Sequence, residues 1–116
     1  MHKVEELKIW QKSIELTKLV YQLIKQLPSD EKYGLLGQIK RSVVSIPSNI
    51  AEGAGRNSKK EFKYFLNIAN GSSYELQTQL IILSELGFIA KEEMKSIHKL
   101  LNEILKMNFA LQRSID

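Results

Sequence analysis

Two groups of basic side chains are the residues of this sequence whose types and spacing best suit binding chemistry. Five of them fall within an arc of roughly 80° on a helix that turns 100° per residue, and so form a stripe. These five are Lys91, Lys95, Lys99, Lys106 and Arg113. The second group follows two glycines at a predicted helix start, where backbone N–H groups and the helix dipole favour an anion. Its members are Arg56, Lys59, Lys60 and Lys63.

Lysines and arginines in such groups neutralise phosphates without reading base sequence, so we predict that both groups bind nucleic acid. An alternative interpretation makes the stripe an ordinary solvated helix face. For the second group, the alternative is that Arg56 pairs internally with Glu52 or Glu61 while its lysines are solvated. No stacking-aromatic motif of the kind that single-strand binders use stands out.

The segment 41–62 places polar and glycine residues inside an otherwise regular helical sequence. Asn49, Glu52 and Arg56 recur at three- and four-residue spacing, so one helix face would carry all three and allow bonds between them. Gly53 or Gly55 then ends that helix. The next helix starts with Ser58 and Glu61, which have the spacing of a capping box.

Catalytic chemistry finds little support in the sequence. The two histidines, His2 and His98, lie far apart and belong to no metalloprotease or nucleophile motif, and the glycine-rich segment lacks the phosphate-loop pattern. The chain has no cysteine, which rules out disulfides and thiolate metal sites. We therefore predict a protein that is not an enzyme, with no metal site and no cofactor.

Composition and charge fit one small, basic, globular domain spanning residues 1–116. The hydrophobic content is 43% and the charged content 26%, with a net charge of +4 and a pI near 9.3, which favours anionic partners. No apolar run approaches the roughly 20 residues that cross a bilayer, and the N-terminus carries charges where a signal peptide is apolar. We expect a cytoplasmic protein without a membrane partner.

Apolar periodicity and turn residues divide the chain into four predicted helices. The first covers residues 4–27, and the second begins near Ser29, Asp30 and Glu31 and is kinked at Pro47. The third covers residues 58–86, and the fourth follows the turn at residues 88–90. Short connections predict an antiparallel up-down-up-down four-helix bundle. Small residues at 42, 45 and 48 would pack closely against residues 71–73.

More apolar surface is present than one bundle needs. The first helix has two apolar flanks, and we expect its excess, including Trp10 and Leu16, to contact another subunit. In the fourth helix Met94, Leu105 and Phe109 lie off the main apolar seam, and Asn108 interrupts that seam. The alternative is a broad core with a few exposed apolar residues.

The segments SVVSIPSNIAEGAGRNSKKEF, FLNIANGSSYELQTQL and LGFI strongly resemble the four-helix bundle family named for proteins encoded in intervening sequences of bacterial 23S ribosomal RNA genes. LKIWQKSIELTKLVYQL and YGLLGQIKRS fit the same pattern, so the resemblance covers residues 7 to about 90. It implies a homo-oligomeric, pentameric barrel of four-helix subunits. The matching structural signature comprises Ser45, Asn49, Glu52, Gly53, Gly55, Arg56, Glu61, Ser72 and Glu75. Asn70 stands where many members have a basic residue.

A related protein, the accessory variability determinant of diversity-generating retroelements, binds nucleic acid and a reverse transcriptase. The resemblance therefore implies a non-enzymatic homo-oligomer that binds RNA or DNA nonspecifically through a basic surface. The alternative is a protein-interaction scaffold, for example a reverse transcriptase accessory protein, without direct nucleic-acid binding.

Overall fold

The computed structural model describes residues 2–28 and 34–115, and within these ranges the chain forms four α-helices and no strand. They are α1 (Lys8–Lys25), α2 (Leu35–Ala54), α3 (Lys59–Glu85) and α4 (Lys95–Ile115), with short 3-10 turns at Val4–Glu6 and Lys91–Met94. The all-α prediction is thereby confirmed. The predicted start of the second helix at Ser29, Asp30 and Glu31 lies outside the described residues.

Both ends of α3 follow from local chemistry. At its start the Ser58 hydroxyl accepts a hydrogen bond from the Glu61 N–H at 3.2 Å. Only this half of the predicted capping box forms, because the Glu61 carboxylate pairs with Arg56 at 3.3 Å. At its end Gly87 has a φ of 85°, and the Phe88 N–H donates to the Leu83 carbonyl, the bond of a Schellman motif.

The four helices share one core, with contacts between α1 and α2, α2 and α3, α3 and α4, and α1 and α4. The buried face of α1 is the flank that includes Ile9, Leu16 and Val20. Leu16 is 0% exposed, so its predicted role in a subunit contact is wrong: it lies in the core of its own subunit. Trp10 lies only partly buried beside this core.

The closest approach in the bundle is between α2 and α3. The hydroxyl oxygens of Ser45 and Ser72 lie 2.8 Å apart across the two helices. A Cβ built on Gly53 would lie 2.9 Å from the Phe65 Cβ and 3.2 Å from the Phe62 carbonyl oxygen. The absence of a side chain at residue 53 therefore lets α3 pass directly over the end of α2.

Two other predicted contacts of this pair are wrong. Ser48 is exposed, and a Cβ on Gly71 would have no neighbour within 4 Å. Each three-residue step drifts by about 60° around a helix, so residue 48 lies about 120° from residue 42 and has turned out of the contact. Residue 71 is likewise turned by about 100° from residue 72.

Pro47 lies buried inside α2, and the helix continues on both sides of it. Because proline has no N–H, it cannot donate to the carbonyl of residue 43. The Thr17 hydroxyl of α1 lies 3.5 Å from that Val43 carbonyl oxygen, at the long limit of a hydrogen bond.

Two residues at and near α4 pack differently from an apolar helix seam: Met94 in the preceding 3-10 turn and Asn108 in α4. Met94, expected off the seam, is buried in the core. Asn108 is also buried: its amide nitrogen donates to the Leu66 carbonyl at 2.9 Å, and its oxygen accepts from Gln112 at 2.7 Å. These two bonds give partners to an amide that would otherwise be costly to bury, and the bond to Leu66 ties α4 to α3.

Candidate nucleic-acid interface

Four of the five stripe residues lie on one exposed face of α4. Lys95, Lys99, Lys106 and Arg113 are all exposed, and at 100° per residue they occupy an arc of roughly 40°. At 1.5 Å per residue they extend over about 27 Å, the length of about eight base pairs of duplex. The fifth, Lys91, is exposed but belongs to the preceding 3-10 turn, so the α-helical projection does not apply to it.

The acidic residue of α4, Glu103, pairs away from this stripe. Glu103 pairs with Lys12 of α1, with 3.5 Å between the lysine nitrogen and the carboxylate oxygen. Within residues 2–28 and 34–115, no ion pair joins a carboxylate to the four α4 cations. The positive charge of the stripe is thus not compensated by a carboxylate in the described part of the chain.

Phe109 was not among the predicted site residues, yet it lies beside the stripe on α4. Its side chain is 65% exposed, and the Arg113 guanidinium lies 5.6 Å from its ring centroid. The sequence carries a signal for it, because residue 109 projects only about 40° from residues 95 and 113 on a helical wheel. An off-seam aromatic taken alone favours a subunit contact, and only its position relative to the lysines points to the stripe.

The second basic group does not act as a unit. Arg56 donates to the Glu52 carboxylate at 2.8 Å and to Glu61 at 3.3 Å, and its guanidinium lies 5.0 Å from the Phe65 ring centroid. This geometry agrees with the interpretation of Arg56 as an internal partner. Lys59 and Lys60 are exposed in the first turn of α3.

Lys63, a member of the second basic group, lies close to the α4 stripe. It lines a cleft of about 320 Å³ between α3 and α4, together with Arg113 of the stripe. We call this the α3–α4 cleft; its lining residues are Lys63, Asn67, Asn70, Asn108, Phe109, Gln112 and Arg113. The structure therefore brings cations from both groups to one surface that the sequence did not predict.

The residues of the predicted structural signature mostly hold α2 and α3 together. The Asn49 amide donates to the Ser45 carbonyl and hydroxyl at 2.8 and 2.9 Å, rather than to Glu52. Ser45 in turn contacts Ser72, and the Gly55 N–H donates to the Ala51 carbonyl at the end of α2. These bonds give the signature residues a structural role, within α2 and between α2 and α3.

Glu75, the last signature residue, lines a second and more polar cleft between α2 and α3. The other lining residues are Gln38, Arg41, Ser42, Ser45, Ser72 and Gln79. Gln79 is 8% exposed, and its side-chain oxygen is buried without a hydrogen-bond partner among the described residues. A buried acceptor of this kind destabilises the fold by about 1–3 kcal/mol unless a donor reaches it.

The described residues contain neither a group of metal ligands nor a membrane-spanning helix. Among residues 2–28 and 34–115, no three histidine, cysteine or carboxylate side chains are grouped so as to hold a metal ion. No helix in the same ranges has the length and hydropathy needed to cross a membrane.

Fold and site together define a basic, all-α helical bundle with a cationic face on its last helix. The family model for the 23S rRNA-intervening sequence protein matches residues 5–110, and the chain belongs to this family. A similar crystal structure is that of a protein with unknown function from the S23 ribosomal protein family of Bacteroides thetaiotaomicron VPI-5482. Its TM-score is 0.81 at 30% sequence identity, covering 90% of this chain and 97% of that chain. No curated protein matches the chain. These findings confirm the family resemblance.

Proposed function

We propose that this protein is a non-enzymatic homo-oligomer that binds RNA or DNA nonspecifically through the α4 stripe. The observation that carries the proposal is the row of exposed cations Lys95, Lys99, Lys106 and Arg113 with no carboxylate paired to it in the described residues. A row of about 27 Å matches several consecutive phosphates. Its binding would follow from counterion release and would carry no base specificity.

In an oligomer each subunit would contribute one stripe, which increases the number of phosphates that the particle can contact. An apolar groove between α1 and α2 supports oligomerisation. Trp10, Ile14, Pro47 and Ala51 line the groove, and Val44 beside them is 41% exposed. We infer that a second copy of the chain packs into this groove. A ring of identical subunits needs two different contact surfaces, and the exposed apolar side chains Ile81, Ile82 and Leu86 of the α3 end offer the second.

The proposed assembly is a pentameric ring of antiparallel four-helix subunits. Light scattering of the purified protein should return a multiple of the 13.3 kDa chain mass at micromolar concentration. Val44→Asp should lower the native mass, whereas the control Gln38→Asp, at another exposed position of α2, should leave it unchanged. A wild-type particle with the mass of one chain would contradict this part of the proposal.

Nucleic-acid binding is tested by fluorescence anisotropy with a labelled RNA duplex at two salt concentrations. Four neutralised phosphates per subunit give a slope of log affinity against log salt of about −3.6, so affinity should fall roughly 100-fold between about 50 and 200 mM NaCl. The fourfold variant Lys95→Glu, Lys99→Glu, Lys106→Glu, Arg113→Glu should abolish binding at the lower concentration.

The matched control makes the same charge change at exposed positions outside α4, with Lys3→Glu, Lys8→Glu, Lys25→Glu and Arg41→Glu. It should retain most of the affinity if position matters more than net charge. The proposal fails if wild-type protein does not bind at about 50 mM salt, or if the two fourfold variants lose affinity equally.

A second candidate function is a protein-interaction scaffold, with a reverse transcriptase as one partner of this kind. Tyr64 and Tyr74 of α3 are both more than half exposed, and exposed tyrosines are enriched in protein interfaces. In this case a protein partner would be captured by the wild-type chain and by the fourfold α4 variant alike. Loss of capture with the α4 variant would instead assign the contact to the stripe or to bridging nucleic acid.

A further inference from the structure

Phe109 is the most exposed large apolar side chain among the described residues, and it lies at the edge of the α4 stripe. Its neighbours on the same helix face are Lys106 and Arg113, and the Arg113 guanidinium lies 5.6 Å from the ring centroid. A phenylalanine with 65% of its surface in water contributes little to the core. Its ring is therefore available for contact with a flat, electron-rich or aromatic group.

The α3–α4 cleft beside this ring contains unused amide groups. Asn108 already has a partner at each polar atom, because its nitrogen donates to the Leu66 carbonyl and its oxygen accepts from Gln112. The side chains of Asn67 and Asn70 form no hydrogen bond with the described residues, and the Gln112 side-chain oxygen has no donor there. Several donors and acceptors thus line a cleft of about 320 Å³ next to an exposed aromatic ring.

The charge of the cleft restricts what can bind there. Lys63 and Arg113 line it, and none of its lining residues is a carboxylate. An amide side chain offers a donor and an acceptor to the edge of a nucleobase, an aromatic ring stacks on its face, and cations contact the adjacent phosphates. This combination of groups is typical of sites for single-stranded nucleic acid.

We propose that the α3–α4 cleft binds an unpaired nucleobase stacked on Phe109, so that the protein prefers single-stranded RNA or DNA to a duplex. The inference rests on the proposed nucleic-acid binding of the α4 stripe and adds its substrate class. In a duplex both faces of each base are covered by neighbouring bases, so Phe109 would gain no stacking partner. The amides of Asn67, Asn70 and Gln112 would face the base edge, in place of the cation that the family resemblance suggests at residue 70.

The experiment compares single-stranded and duplex RNA of the same length, roughly 12 nucleotides, by fluorescence anisotropy at about 100 mM NaCl. Removing one stacked base costs roughly 5-fold to 150-fold in affinity, so Phe109→Ala should weaken single-strand binding by that factor. Duplex binding should change less than about twofold, and the salt slope should stay the same, because no phosphate contact is lost. Phe109→Trp should retain or strengthen single-strand binding.

The matched control is Tyr74→Ala, which removes an exposed aromatic ring of α3 away from the cleft and should leave both affinities unchanged. A single-stranded oligonucleotide containing 2-aminopurine supplies a direct readout, because stacking on an aromatic ring changes its fluorescence. The change should appear with wild-type protein and Tyr74→Ala, and disappear with Phe109→Ala. Circular dichroism of each variant checks that the helices are intact.

The outcomes separate this inference from the proposed function. If single strands and duplex bind equally and Phe109→Ala affects neither, the stacking site is refuted while binding by the stripe stands. If Phe109→Ala lowers the native mass and leaves RNA affinity unchanged, Phe109 is a subunit contact and the inference is also refuted. If no nucleic acid binds at low salt, both proposals fail together.

Discussion

Gly53→Ala is the substitution whose effect follows most directly from the geometry. An added Cβ would lie 2.9 Å from the Phe65 Cβ, 3.0 Å from the Phe62 Cδ1 and 3.2 Å from the Phe62 carbonyl oxygen. Favourable contacts between carbon atoms lie at about 3.5–4.0 Å, so all three distances are too short. The Phe62 oxygen and the Phe65 Cβ are fixed to the backbone of α3, and α3 as a whole would have to move away from α2.

The magnitude follows from two opposing terms. Replacing glycine by alanine inside a helix stabilises by about 1 kcal/mol, whereas overpacking costs about 1–3 kcal/mol. Because Gly53 lies in the last turn of α2 and its neighbours cannot rotate away, we expect the steric term to win by about 2 kcal/mol. The control Gly71→Ala lies inside α3 with no neighbour within 4 Å and should stabilise by about 0.5–1 kcal/mol.

Urea denaturation of the two variants at one fixed protomer concentration measures the difference, since association makes stability depend on concentration. The expected difference between the two variants is about 3 kcal/mol, and most of it comes from the clash because the helix-propensity gain is at most about 1 kcal/mol in either. In thermal melts this corresponds to a gap of roughly 10 °C. A Gly53→Ala variant as stable as Gly71→Ala would refute the close approach of α2 and α3 at this residue.

Three further predictions concern single side chains. Gln79→Leu should raise the free energy of unfolding by about 1 kcal/mol, because it removes a buried acceptor without a protein donor; a loss of stability in urea denaturation would mean that the oxygen is hydrogen-bonded in solution. Ser58→Ala should lower the free energy of unfolding by about 1 kcal/mol through loss of the α3 cap, with the exposed Ser96→Ala as an unaffected control; equal melting of both variants would contradict the cap. Arg56→Ala should cost less than about 1 kcal/mol, because its ion pairs are nearly half exposed, and should weaken RNA binding less than Lys106→Ala does in the same anisotropy assay. If Arg56→Ala weakened RNA binding more than Lys106→Ala does, Arg56 would belong to the nucleic-acid-binding surface.

The fold was readable from the sequence because its signals are local. Ser58 as a helix cap and Gly87 as a helix end depend on a few neighbouring residues, and the structure confirms both. Which flank of α1 faces the core could not be predicted from the sequence, since two apolar flanks satisfy the helical period equally well. The predicted subunit contact of Leu16 is wrong for this reason.

The candidate site was only partly predictable. The exposed cations of α4 follow from helical spacing alone. The pairing of Glu103 with Lys12 depends on how α1 packs against α4, which no local pattern specifies. The same holds for the α3–α4 cleft, since Asn67, Asn70 and Phe109 come from two helices that only the folded chain brings together.

The tight contact between α2 and α3 also has a consequence for the order in which the chain folds. These helices are neighbours in sequence, joined by residues 55–58, whereas α1 and α4 must meet across the length of the chain. Closing a long loop loses more entropy than closing a short one, so the α2–α3 pair should nucleate folding and the α1–α4 contact should form last. Changes at Gly53 would then slow folding, while changes at Lys12 or Glu103 would mainly accelerate unfolding.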